Sequence, residues 1–229
     1  MQLIHFGRAL VTVMVLVGVA PLDATADEDQ VDLKDVPASV HKAADEAVPR
    51  AEWMKATRET DDEETTYQLY GADAKGREVN ITLTDEGEVD VLETVLSVTD
   101  LPARVVEVLR TLPQVKWTDA TERLEDGETS YEVGGSDLKD RESSAYFPSD
   151  GRPTIYTDRE SSDVPAAVTK ALKAQLPTFQ DEKVRSITED GTLIGYLFIG
   201  KEGADVDEME VKVSPDGKTV KVLNDDDES

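Results

Sequence analysis

The chain holds two histidines, His5 and His41, and no cysteine. A Ser-His-Asp relay or an imidazole metal site would have to be built on His41 alone, because His5 falls in a segment that reads as a removable leader. His41 stands on a helical segment where two related segments carry Val106 and Thr169, so it reads as an ordinary helix-surface residue. The missing cysteines exclude thiolate nucleophiles, disulfide frameworks and thiolate zinc sites. Carboxylates are abundant, with 50 Asp plus Glu, and a pair of them could do acid–base work. Sugar hydrolysis would also need a cleft lined with aromatic rings, yet aromatics make up 5% of the chain. No constellation has a recognisable catalytic spacing, so we expect no enzyme, no catalytic residue and no cofactor. Acidic clusters at 61–64, 205–210 and 225–228 offer oxygens to a hard cation. The D-x-[DN]-x-[DN]-G loop with its terminal glutamate does not occur, which leaves weak, nonspecific divalent binding and no dedicated metal site.

Two aromatic sets recur. Trp53 and Trp117 hold equivalent positions, filled by Asp181 in the third instance, and Tyr67, Tyr131 and Tyr196 form a matching trio. Exposed, such a row would be a binding platform. We expect the tyrosines in the core, and the tryptophans either there or on the surface. With 24 Lys plus Arg the net charge is −26. Phosphate neutralisation needs a basic face, so a nucleic-acid binder of that kind is excluded. The negative field repels anionic membranes and steers cationic partners, although physiological salt screens it over about 8 Å.

Positioning these residues falls to the elements, and the first segment is an address. Arg8 precedes the uncharged run ALVTVMVLVGVA (9–20), and Ala24-Thr25-Ala26 follows. As a helix that run spans about 18 Å, short of the roughly 30 Å hydrocarbon core. Cation, apolar run and A-x-A site form a signal-peptide pattern with cleavage after Ala26. Cleavage removes one base, Arg8, and one acid, Asp23, so the charge of −26 is kept. The expected location is periplasmic or secreted, with no membrane contact afterwards.

Beyond the leader the sequence is periodic. DVPASVHKAADEAVP (35–49), DLPARVVEVLRTLP (100–113) and DVPAAVTKALKAQLP (163–177) share D-[VL]-P-A-x-V, their leading aspartates 65 and 63 residues apart. Closing prolines at 49, 113 and 177 are followed by Tyr67, Tyr131 and Tyr196, and four residues later by Gly71, Gly135 and Gly200. Val164, Val168, Leu172 and Leu176 recur every fourth residue, as do Val36, Val40, Ala44 and Val48, which draws one apolar stripe on a helix of about three turns. Proline is tolerated at a helix start and ends one at its close. The period then changes to two, as in Val79-Ile81-Leu83 and Met209-Val211-Val213, which marks strands with one buried face. Turn pairs such as Asp126-Gly127 and Asp190-Gly191 punctuate them. Segments 52–59 and 115–123 read as first strands. The fold expected is α+β: three tandem repeats, each one helix followed by an antiparallel meander of about four strands, the helix packed on one sheet face. The divisions are a signal peptide at 1–26, repeats at 27–96, 97–160 and 161–224, and an acidic tail at 225–229. Links between repeats are short, so the repeats either extend a common sheet or abut as neighbours.

The helix opening [VL]-P-x-x-V, the tyrosine-centred strand and the terminal D-G hairpin resemble the PepSY-like family, whose modules are similar to the repeats of secreted beta-lactamase inhibitor proteins. The resemblance spans 31–224 and is clearest over 164–223. It implies an exported, noncatalytic protein-binding module of the cell envelope, an inhibitor or sensor of a hydrolase or protease, with an unidentified protein partner met through the exposed sheet face. The alternative is an acidic periplasmic protein that binds or buffers divalent cations such as calcium.

Overall fold

A computed structural model of the chain describes residues 29–61, 64–112, 114–149, 152–203 and 208–223. The expected signal peptide, the acidic tail and most of the three acidic clusters lie outside them.

Thirteen strands follow one another: β1 (Asp29–Val31), β2 (Glu52–Asp61), β3 (Glu64–Ala72), β4 (Glu78–Thr84), β5 (Val89–Leu96), β6 (Val115–Glu125), β7 (Glu128–Asp137), β8 (Glu142–Phe147), β9 (Thr154–Asp158), β10 (Phe179–Glu189), β11 (Thr192–Glu202), β12 (Met209–Val213) and β13 (Val220–Leu223). Three helices interrupt them: α1 (Ala38–Ala47), α2 (Ala103–Arg110) and α3 (Ala166–Gln175). Before each helix comes a single 3₁₀ turn that ends on the leading aspartate, at Leu33–Asp35, Val98–Asp100 and Ser161–Asp163. Pro37, Pro102 and Pro165 stand immediately before the helices with φ near −56°. The proline ring presets that angle, and the amide it lacks would have had no intrahelical acceptor. At the far end the Val48 and Leu176 amides close onto Ala44 and Leu172, and the prolines that follow cannot extend the helix.

The architecture corrects the expected fold class. The chain is not three helix-plus-meander repeats; it is mostly one antiparallel sheet of thirteen strands in strict chain order, with three short helices. The last strand of a meander does not end a unit. Val91–Leu96 of β5 pairs residue for residue with Glu125–Ala120 of β6, so the chain returns from α2 alongside the strand it left. A free edge would leave a row of amides and carbonyls without partners, and the returning strand supplies them. Periodicity within a segment reports which face of a strand is buried, not whether its outer edge is taken. The serine-rich stretch 142–147 is itself a ladder strand, paired with β7 on one side and β9 on the other.

The described chain divides into two compact units, one of residues 29–159 with 186–194, the other of 160–185 with the described part of 195–223. The first holds two apolar clusters. Val36, Val40 and Ala44 meet Ala56, Tyr67, Leu69, Ile81 and Leu83; Leu101, Val105 and Leu109 meet Ala120, Tyr131, Val133, Ala145, Phe147 and Ile155. In the second unit Val164, Val168, Leu172 and Leu176 close on Phe179, Val184, Tyr196, Phe198, Val211 and Val213. The Asp126-Gly127 and Asp190-Gly191 turns both take positive φ at both residues, the two-residue hairpin geometry that matches strand twist.

Candidate binding face

Successive residues of a strand point to opposite sides of the sheet, so the pairing register sorts side chains into rows. One row, Ala56, Leu69, Ile81, Leu92 and Leu124, runs across β2 to β6, and its first four members lie in or against the cluster that contains α1. One position along, the row on the other side reads Lys55, Tyr70, Asn80, Glu93, Arg123 and Ser130. Its members touch. The Lys55 ammonium stands 5.2 Å from the centre of the Tyr70 ring, a cation–π distance. The Tyr70 hydroxyl donates to Gln68 Oε1. Arg123 Nη1 donates to Glu93 Oε1 at 2.7 Å, while Nε and Nη2 donate to the two oxygens of Glu125 at 3.0 and 3.2 Å. Burial pulls the Arg123 pKa down more than any other single influence, but Glu125 and Glu93 together outweigh it and raise it. The guanidinium is therefore a fixed positive charge clamped between two carboxylates. Asn80 Nδ2 leans toward Glu93 Oε2 at 3.5 Å, and the buried Asn80 Oδ1 has no partner, a polar atom that costs stability.

Further along the same face a second row holds Val95, Thr121, Glu132, Tyr146 and Thr154. Tyr146 is 43% exposed, and Tyr156 lies across from Ser144 on the neighbouring strand. Three tyrosines, 70, 146 and 156, thus stand on this side. They are not the trio that the spacing singled out.

That trio, Tyr67, Tyr131 and Tyr196, is buried, one ring in each apolar cluster. Burial and a hydrogen bond with Glu122 push the Tyr131 hydroxyl up. Trp53 is half-buried and its indole N–H donates to Asp45 Oδ1 at 3.1 Å. Trp117 is half-buried against the second cluster, with its indole nitrogen buried and without a partner. The position matching Asp45 is Arg110, which carries donors only. Asp181 accepts from Ser161 Oγ at 2.9 Å. His41 Nε2–H donates to the Leu33 carbonyl at 2.7 Å, which ties α1 to the turn before it. The spacing-derived residues therefore do not converge on one site. Among the described residues no group of three or more His, Asp or Glu is placed to hold a metal ion, and no helix is long and apolar enough to cross a membrane.

One motif escaped the sequence reading. DAKGR (73–77) and DLKDR (137–141) lie 64 residues apart, each forming the turn after a long strand. Asp137 Oδ1 accepts from the Lys139 and Arg141 amides at 2.7 and 3.1 Å, while Oδ2 receives Arg141 Nε at 2.7 Å and Nη2 at 2.6 Å. Asp73 repeats this clasp with Lys75 and Arg77. The D-x-K-x-R spacing is the sequence signal for this turn, and neither copy contains the D-G pair that marks the hairpins.

No protein-family model matches this chain, and no curated protein is significantly similar to it.

Proposed function

We propose that the chain is an exported, noncatalytic protein-binding module that meets its partner through the sheet face bearing Tyr70, Arg123 and Tyr146. The observation that carries this reading is the ladder itself: Lys55, Tyr70, Asn80, Glu93 and Arg123 run across five consecutive strands, and the Glu93 and Glu125 clamp fixes the guanidinium. Tyrosine and arginine dominate the energetics of protein interfaces. Side chains already held on a sheet lose little freedom when a partner arrives. The PepSY-like features in the sequence favour the same role, and a hydrolase or protease is the partner type we propose, the module acting as its inhibitor or sensor. A net charge of −26 would speed encounter with a cationic partner without defining it.

The test is retention from native envelope extract on the immobilised chain, compared with a Tyr146→Ala, Tyr156→Ala double variant. We expect the variant to lose a specific partner at least tenfold while its circular dichroism stays unchanged. Hydrolytic activity of the retained protein, assayed with and without the module, tests the inhibitor role. Equal retention by both chains would exclude this face.

A further inference from the structure

The bulges that shift the pairing at Trp53/Lys55 in β2 and at Trp117/Asp119 in β6 lie 64 residues apart, opposite Gly71 and Gly135. Residues 56–61 of β2 therefore occupy the places of residues 120–125 of β6. On β6 all of these take partners from β5, Leu96 to Val91. On β2 the same side is only half covered. Val31, Gln30 and Asp29 of β1 pair with Ala56, Thr57 and Arg58, in the register that Leu96, Val95 and Thr94 take with Ala120, Thr121 and Glu122. Among the described residues Glu59, Thr60 and Asp61 have no strand on that side. At the other end of the ladder β13 neighbours β12 alone. Val222 stands opposite Val211, as Leu92 stands opposite Ile81. Val211 and Ile81 in turn stand opposite Phe198 and Leu69, each two residues after a core tyrosine. β13 thus matches β5 as far as Glu93, and β1 matches it from Thr94 onward. Lys221, Val222 and Leu223 are the residues that would complete the strand on β2.

We propose that the outer edge of β13 pairs with the outer edge of β2 in a second copy of this chain, antiparallel and head to tail, so that β13 of one copy and β1 of the next together line β2 as β5 lines β6. Lys221, Val222 and Leu223 then fall opposite Asp61, Thr60 and Glu59, as Val91, Leu92 and Glu93 fall opposite Glu125, Leu124 and Arg123. The proposal concerns the edges of the sheet and stands apart from the binding-face reading. A strand edge is a row of amides and carbonyls that a further strand satisfies, and such strand addition is a general mode of recognition. A second copy is the occupant because the chain already builds this junction between β5 and β6, and its two edges carry complementary parts of it. The register also sets the basic Lys221 against the acidic Asp61, a favourable cross-strand combination. Against it, Asp27 and Glu28 precede β1, and Asp225 to Glu228 follow β13. The junction draws these acidic stretches together, so it forms once salt screens them. Because the two edges differ, one junction leaves an edge of each kind open for the next copy.

The chain lacks cysteine, so the junction can be read by disulfides between two single-cysteine chains. Val222→Cys is mixed with Thr60→Cys under mild oxidation, because directly opposite strand residues bring their Cα atoms within disulfide reach. Circular dichroism checks folding, and Leu223→Cys with Glu59→Cys tests the adjacent rung should the first pair fail to fold. In about 0.5 M sodium chloride the screening length falls to about 4 Å. There we expect the mixed disulfide in at least about tenfold excess over that from Val222→Cys with the exposed Lys139→Cys, and about fivefold less of it at about 20 mM salt. At the higher salt the unaltered chain should sediment as species larger than a dimer as its concentration rises. Equal yield with Lys139→Cys means random collision and overturns the proposal. A Val222→Cys self-disulfide exceeding the mixed one means that β13 meets β13 in a closed pair, which overturns it too. A chain that stays monomeric at both salt concentrations does the same.

Discussion

At the residue scale the clearest energetic statement concerns Asp137. Its hydrogen bonds with Arg141, aided by the Lys139 and Arg141 amides and working against burial, lower its pKa from the ordinary 3.8 to about 2. A carboxylate depressed in the folded state stabilises the fold above its unfolded pKa and loses that contribution as pH falls through the folded one. The window is therefore from about pH 4 down to about pH 2. The side chain is 8% exposed, so solvent screens the pair only in part, and we expect Asp137→Asn to cost about 1–2 kcal/mol at pH 7. Urea unfolding at pH 7 and pH 2.5 checks this: the variant should sit below the unaltered chain at pH 7 and approach it at pH 2.5. Asp73 shifts the same way. There burial acts upward as the largest single influence, and the bonds from Arg77 and Lys75 outweigh it.

At the element scale, close backbone approach makes Gly135 irreplaceable. It lies opposite a bulge in β6 between Trp117 and Asp119, and a Cβ there would come 2.4 Å from the Lys116 carbonyl oxygen. Because the obstacle is backbone, Gly135→Ala should destabilise by about 1–3 kcal/mol, read as a lower urea midpoint with an unchanged slope. The landmark glycine was visible in the sequence, and so was the apolar stripe of each helix, because both depend on residues a few positions apart. The prolines likewise marked where α1, α2 and α3 begin. The continuous ladder was not legible. Whether β5 takes β6 on its outer edge is decided by pairing between Val91–Leu96 and 120–125, across a helix and two turns, and nothing in either strand alone encodes it. The candidate face was obscured for a related reason. Tyr70, Tyr146 and Tyr156 share no common spacing, and only the register brings them to one side, whereas the evenly spaced tyrosines proved to be core.

At the scale of the whole molecule, charge dominates. A net −26 repels itself in the folded state, and added salt screens that repulsion. Raising sodium chloride from about 20 mM to about 0.5 M should lift the melting temperature by roughly 2–6 °C, or about 1–2 kcal/mol for a chain this long. Scanning calorimetry at the two ionic strengths measures it, and a flat or falling response would mean that local ion pairs such as Arg123 with Glu93 and Glu125 outweigh the global field. The strand order carries a kinetic consequence. Among the described residues each strand of the ladder neighbours only its immediate predecessor and successor, so pairing partners follow one another along the chain. That order lets each completed strand serve as the template for the one after it, so the ladder can be extended one rung at a time from its amino end.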